Sequence, residues 1–456
     1  MSAILSPQRL SVWPTVSLGD VCLVNPGKPR VDRLAKDAPV SFVPMASVNE
    51  VSGSIVAPEI REYAKVRGSY TAFQEGDVLF AKITPCMENG KAAIARDLVN
   101  GLGFGSSEFH VLRPTDKVLP EFIYQLIRQK SFRAEARDNM TGSVGQARVP
   151  TEWLKNFEFE LPPIETQQEI VGIVSQLQKQ MESTSDRLAT IPALLKKFRQ
   201  SVLAAACSGQ LTADWREDHM ADEPAEHLLE RIRQHRKVKP LTSAAEADED
   251  IPRDWALTRV GQVCAVATGA TPLRTRSAYF GGDIPWITSS AANDGTVTRA
   301  TQFITELAVK ETNAKVFPPG TLIVAMYGEG QTRGRVAELG IATATNQALA
   351  ALLFDDVNEN CRAFVKLHFL KNYGEMRNLA AGGVQPNLSL GLIRDSELLL
   401  PPLDEQAEIV RRVESLFALA DSIESRLAEV TAQVERTTQA ILAKALRGEL
   451  TSEVAS

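Results

Sequence analysis

Apolar residues recur at alternating steps of four and three along two stretches of the chain. In the later stretch they fall at Ile409, Val413, Leu416, Ala420, Ile423, Leu427, Val430, Val434 and Ile441, with Thr437 at the place expected between the last two. Two apolar positions in every seven is a heptad seam and predicts a long helix that needs a partner. The earlier stretch gives Ile170, Val174, Leu177, Met181, Leu188, Ile191, Leu195, Phe198 and Val202, with Thr184 interrupting. A helix over about residues 165–208 is roughly 65 Å long at ~1.5 Å per residue. The sibling helix in the same chain is the obvious partner. Pro192 lacks a backbone donor and is expected to bend the first helix or open its bonding locally.

The two stretches are copies. Residues 161–212 begin LPPIETQQEIV and close SGQLT; 239 positions later, residues 400–451 begin LPPLDEQAEIV and close RGELT. The LPP ends a preceding strand and suits a helix start. Asp404 and Glu405, like Glu165 and Glu169, place negative charge on the first turns, where the helix dipole favours it. Gly209 and Gly448 stand where a helix stops. A period this long is duplication of a whole domain rather than a solenoid repeat.

The segments before each helix also correspond. Trp13, Leu18, Gly19, Val21 and Cys22 match Trp255, Val260, Gly261, Val263 and Cys264, and FQEGDVLFAKI from Phe73 matches FPPGTLIVAMY from Phe317, with Gly76 answering Gly320. GSVGQARV answers GGVQPNL with one residue of slippage. Short β-rich runs bounded by Gly, Pro and Asn, with one helical stretch from Leu119, predict a mixed α+β lobe over 1–160, repeated over 251–399. Between the shared anchors the loops differ, as expected of one scaffold recognising two different things. The long helices occupy 161–212 and 400–456. Residues 213–250 read as a bridge: AEHLLERIRQHRKVK has a short helical pattern ending basic, and SAAEADEDIP is an acidic linker, so the segment is expected to be a solvated tether.

Composition limits the possibilities. With 456 residues, 44% hydrophobic and 23% charged, the chain has the make-up of a globular protein of two or three domains. No run of about 18 apolar residues is present, and the start lacks a secretory pattern, so neither a membrane span nor export is expected. The five cysteines are scattered without a CxxC pair, which suits a reducing cytoplasm and argues against structural zinc. The net charge of −6 is unevenly placed: residues 1–160 and 251–399 are each +1, while 161–250 and 400–456 are each −4. The acidity therefore lies in the helical segments, and the near-neutral lobes are free to carry local basic surfaces.

Signatures of catalysis are missing: the sequence has no GxxxxGK[ST], no strand-linked GxGxxG, no Asn/Asp-Pro-Pro-aromatic run, no GxSxG and no HExxH. The lobes do carry residues able to read base edges and phosphates. These are Lys82, Thr84, Asn89 and Lys91 in one loop of the first lobe, and Gln146 with Arg148 in another. In the second lobe they are Arg274, Arg276, Ser289, Ser290, Tyr327, Gln331, Arg333, Arg335, Gln385 and Asn387. Arg and Lys suit guanine and phosphate, and Asn and Gln suit adenine. The same residue types are also ordinary in surface loops. Arg333, Gln331 and Lys91 stand out because glycines bracket their loops.

Two divergent lobes, each followed by a near-identical LPP-xxx-Q-x-EIV helix ending in G-[QE]-LT, resemble the specificity subunit of type I restriction-modification enzymes over nearly the whole chain. GDVLFAKITPCMENGK in the first lobe, and YFGGDIPWITSS, AMYGEGQTRGRVA and ATNQA in the second, are similar to target recognition domain sequences of that family. The resemblance implies two target recognition domains joined by two long antiparallel helices in a circular, pseudo-twofold arrangement. It implies no catalytic activity and no cofactor, with each lobe reading half of a bipartite double-stranded DNA site. It also implies docking of two methyltransferase subunits, with Gln167, Glu169, Gln406 and Glu408 helping to form that surface, and motor-nuclease subunits joining the full complex. Readings from other classes are a coiled-coil scaffold that binds only protein, and a stand-alone nuclease or methyltransferase.

Overall fold

The computed structural model describes residues 13–28, 34–50, 52–143, 145–239, 251–328, 331–381, 387–447 and 449. The chain divides into two compact units, residues 1–189 with 427–456 and residues 190–426. Each unit combines one lobe with a stretch of each long helix.

In the first unit, one sheet runs Cys22–Val24, Phe109–Pro114, Val78–Ala81, Ala92–Ile94, all antiparallel. Val78–Ala81 is buried at every position, which is why its sequence is a continuous apolar run instead of an alternating one. A second sheet runs Glu59–Glu62, Pro39–Val43, Leu102–Gly105, Thr71–Gln74, with Pro39–Val43 and Leu102–Gly105 parallel. Thr15–Ser17 pairs antiparallel with Glu158–Glu160, closing the start of the lobe on its end.

The second unit repeats this order. Its first sheet runs Ala265–Thr268, Leu349–Leu353, Leu322–Ala325, Val336–Leu339 and adds Thr296–Val297 at the edge. Its second runs Gln302–Ile304, Phe280–Ile287, Thr343–Thr345, Val316–Phe317, again with the inner pair parallel. Ala256–Arg259 pairs with Glu397–Leu400 as the closing ribbon. Gly76 and Gly320 both lie at positive φ, +82° and +83°, so the turn before the central buried strand is the same turn in both lobes.

The long helices span Ile164–Ser208 and Leu403–Leu446. The first continues through Pro192. It stops where Gly209 takes a left-handed φ of +80°. Gly448 lies outside the described residues. In the first unit Ile170 and Val174 share a core with Leu442, Ala445 and Leu446, and Thr438 donates its hydroxyl to the Met181 sulfur at 2.7 Å. In the second unit Val202, Leu203 and Ala206 share a core with Ile409 and Val413, and Arg199 bridges Asp421 at 2.6 Å and Glu424 at 3.0 Å. Within each unit the numbers fall on one helix as they rise on the other, so the helices are antiparallel. The heptad seam is not buried throughout: Ile423 in the second unit and Val430 in the first are 38% and 45% exposed. At the end of the second helix Leu442 is buried while Ile441, the seam position, is only partly so. A straight helix drifts by about 20° per heptad from a strict seven-residue repeat, which moves the buried face by a residue over this length.

One expectation needs correcting. Residues 225–236, read as part of a solvated tether, form a helix (Ala225–Arg236) whose Ala225, Leu228, Leu229 and Ile232 are buried in the core of the second unit. The acidic linker that follows lies mostly outside the described residues.

His368 is 5% exposed, and burial, helped by Lys371, pulls its pKa down to about 4. Below pH 6.5 the unfolded chain takes up a proton there that the folded one refuses, so stability falls as pH drops from about 6.5 towards 4. His368→Leu is expected to remove up to about 3 kcal/mol of this acid sensitivity, read as the difference between urea midpoints at pH 7 and pH 4.5. An unchanged difference would count against the assignment.

Candidate nucleic-acid interface

The two candidate loops of the first lobe come together through backbone bonds. Val149 N–H donates to the Lys82 carbonyl at 2.9 Å, Thr84 N–H donates to the Ala147 carbonyl at 3.2 Å, and Ile83 pairs with Arg148. Lys82, Thr84, Asn89, Lys91, Gln146 and Arg148 are thus carried on one joined pair of loops. Their side chains are not equally available. Arg148 grips Glu108 with two bonds of 2.9 and 3.0 Å, which holds the Glu108 carboxyl below its usual range. Lys91 Nζ lies 3.5 Å from the Met45 carbonyl, and Asn89 donates to Glu50 at 3.4 Å. Gln146 is exposed, and the Thr84 hydroxyl oxygen is buried without a partner.

The second lobe makes the corresponding join, Leu388 N–H to the Met326 carbonyl at 3.1 Å. This sets Asn387, which is exposed, beside the segment carrying Tyr327, which is 37% exposed. Gln385 lies outside the described residues. Asn293 donates to the Ser290 carbonyl at 3.0 Å and to the Thr332 hydroxyl at 3.2 Å, so the Ser289–Ser290 segment is tied to the loop carrying Gln331, Arg333 and Arg335. Arg335 folds back on Gln331, donating to its carbonyl and its side-chain oxygen at 3.2 Å each. Arg333 Nε is buried without a partner. Arg276 is held elsewhere, by Glu311 at 2.8 Å and the Tyr279 hydroxyl at 2.7 Å, while its neighbour Arg274 is exposed.

Both loops are held from behind by a residue that sequence reading did not single out. Arg133 donates to the Glu88 carbonyl at 2.6 Å, and the Tyr373 hydroxyl donates to the Gln331 carbonyl at 2.6 Å. Gly90 and Gly334, at φ +80° and +82°, let each loop turn close against its helix; a Cβ on Gly90 would sit 3.0 Å from the Arg133 guanidinium. Neither Arg133 nor Tyr373 lies in a motif; only the fold brings them to the loop.

The expected docking residues are placed differently. Gln167 and Gln406 are 0% and 1% exposed, so as folded neither can form a docking surface. The Gln167 amide donates to the Pro162 carbonyl at 2.8 Å, and the Gln406 amide donates to the Pro401 carbonyl at 2.7 Å. Gln167 also accepts from Leu119 N–H at 2.9 Å, tying the helix start to the lobe. The repeated glutamine thus closes the LPP turn from inside. Glu408 is partly exposed and held by Arg411 and Arg412, which keep its carboxyl down at about 2. Glu169 is likewise partly exposed. Between the helix start and the second lobe lies a group that sequence reading took only for dipole complement. Glu405, 1% exposed, accepts from the Thr212 hydroxyl at 2.7 Å and the Trp255 indole at 2.8 Å and pairs with Arg216.

One strand framework built twice, with unlike polar loops at matching places and long paired helices attached, defines a doubled recognition protein. The profile of the family described as "Type I restriction modification DNA specificity domain" matches residues 11–193 and again 252–432, and the chain belongs to that family. It is 29% identical to the type I restriction enzyme EcoDI specificity subunit of Escherichia coli, over 98% of this chain and 91% of that one. It is 26% identical to the EcoEI specificity subunit of the same species, over 95% of this chain and 82% of that one. Its fold is similar to the HsdS subunit from Thermoanaerobacter tengcongensis, with a TM-score of 0.64 at 22% identity, covering 97% of this chain and 99% of that one. A second type I R-M structure, solved for complex assembly and conformational transition, gives a TM-score of 0.66 at 22% identity, covering 97% and 100%. Among the described residues no helix is long and apolar enough to cross a membrane.

Proposed function

We propose that the chain is the non-catalytic DNA-recognition subunit of a type I restriction-modification complex, each lobe reading one half of a bipartite double-stranded site. The observation that carries this reading is the repetition of one strand order under loops that differ in sequence at equivalent places. A scaffold that binds only protein gives no reason for the lobes to keep their framework and change those loops. The recognition domains are 1–160 and 251–399, and the long helices set the gap between half-sites, which one face of DNA offers about 34–36 Å apart per helical turn. Two methyltransferase subunits would dock on the two copies of the helix segment, since two copies of one surface hold two copies of one partner. Glu169 and Glu408 remain the accessible members of that set, and motor-nuclease subunits complete the assembly.

Methylation mapping of host DNA with and without the gene tests this directly. The expected result is loss of one bipartite motif with a fixed gap; an unchanged methylome overturns the reading. Charge reversal separates the lobes. Lys91→Glu should weaken methylation through the first half-site and Arg333→Glu through the second, each by about 1–3 kcal/mol of binding, roughly 5- to 150-fold. Full activity in both variants would favour the scaffold.

A further inference from the structure

The second unit contains a cavity of ≈ 630 Å³ between the helix Arg362–Ala381 and the segment leading into the strand Glu397–Leu400. His368 and Asn372, 5% and 8% exposed, form its polar wall with Ser396. His368 Nε2 lies 3.0 Å from the Ser396 hydroxyl and 3.0 Å from Asn372 Nδ2. Asn372 Oδ1 is buried and has no hydrogen-bond partner. The rim carries Leu392 and Leu257, 49% and 37% exposed. A buried acceptor costs about 1–3 kcal/mol when left unpaired, a cost that a turn of the Asn372 amide towards a donor in the cavity would relieve.

The first lobe carries aromatic rings at the matching chain positions. Leu18 N–H donates to the Phe157 carbonyl at 2.9 Å, and Val260 N–H donates to the Ser396 carbonyl at 3.0 Å, so Ser396 stands where Phe157 stands. By the same register Leu392 stands for Trp153. In the first lobe Trp153, Phe157 and Phe132 pack ring on ring with centroids 4.7–5.6 Å apart. The second lobe keeps the backbone frame, lacks two of these rings and places His368 and Asn372 against the space. Protein interiors are close-packed, so such a volume with converging polar groups is built like a ligand site rather than like a core. Glu375, Asp395 and Glu397 outnumber Lys371 among the lining residues, which disfavours anions.

We propose that this cavity binds a planar heteroaromatic small molecule, neutral or cationic, whose ring fills the place of the Trp153 and Phe157 rings and whose N–H group donates to Asn372. Leu388, next to Asn387, is one of the lining residues, but the polar wall of His368, Asn372 and Ser396 lies outside the recognition loops, and the proposal does not depend on those loops reading DNA. The full chain is titrated with indole and with adenine by calorimetry, and the rate of Cys207 alkylation by N-ethylmaleimide is followed with and without each probe, because Cys207 also lines the cavity. Saturable binding of at least one probe that slows Cys207 alkylation is the expected result. Ser396→Phe, which restores one of the first lobe's rings, should weaken that binding at least about tenfold, some 1.4 kcal/mol. No saturable binding of either probe overturns the proposal, as does binding that neither protects Cys207 nor responds to Ser396→Phe. If Ser396→Phe fails to fold by circular dichroism, Cys207 protection in the unaltered chain decides.

Discussion

Replacing Glu405 by alanine should cost about 3–5 kcal/mol of stability, because it removes one partner from a buried ion pair. One carboxylate oxygen accepts from the Thr212 hydroxyl at 2.7 Å and pairs with Arg216; the other accepts from the Trp255 indole at 2.8 Å. Without it the indole N–H and the hydroxyl are left buried and unpaired. Arg216, whose side chain is only 16% exposed, keeps the Gly209 carbonyl alone. Three segments distant in sequence lose their common point: the end of the first long helix, the start of the second, and the first strand of the second lobe. Glu405→Gln keeps the shape and one acceptor and should fall between the parent and the alanine variant. Urea unfolding followed by intrinsic tryptophan fluorescence is the measurement. A loss below about 1 kcal/mol for Glu405→Ala would show that the pair contributes no more than a surface one.

This network also marks where sequence reading ended. The duplicated helices were legible because a heptad pattern and an ungapped copy of it are local signals. The two lobes were legible because the anchors around Gly76 and Gly320 repeat a turn that needs positive φ. Glu405 looked like an ordinary first-turn carboxylate, since nothing local says that Trp255 and Thr212 fold over it. Gln167 and Gln406 looked like a repeated surface feature, but a repeat shows only that a residue is needed twice. Closing the LPP turn from inside satisfies that as well as partner contact does. The helical pattern of Ala225–Arg236 was legible, but its burial was masked by its charge: its apolar face is four residues, enough to join a core and too few to stand out beside Arg231, Arg233 and Arg236. Among the loop residues, residue type and approximate place were legible, while pairing was decided by the fold. Arg148 and Arg276 have carboxylate partners, whereas Arg333 Nε is buried without one.

Lengthening both long helices by one heptad should leave each half-site sequence intact and widen the gap between them, abolishing methylation at the parental site. The insertions belong after Asp186 and after Val434, which the Met181–Thr438 contact places opposite each other on antiparallel helices. Asp186 lies among exposed residues and Val434 is only partly buried, and seven residues preserve the seam's register, so the lobes' cores are untouched. Seven residues add ~10.5 Å of helix, the rise of about three base pairs at 3.4 Å each. A half-site displaced by that distance leaves only one lobe engaged. Specific binding typically exceeds non-specific binding by 10³-fold or more, so occupancy of the old site should fall by about that order. The new methylome should contain the same two half-sites with a gap longer by up to about three base pairs. Altered half-sites with the old gap would mean that the helices do not act as the ruler and that the spacing is set within the lobes.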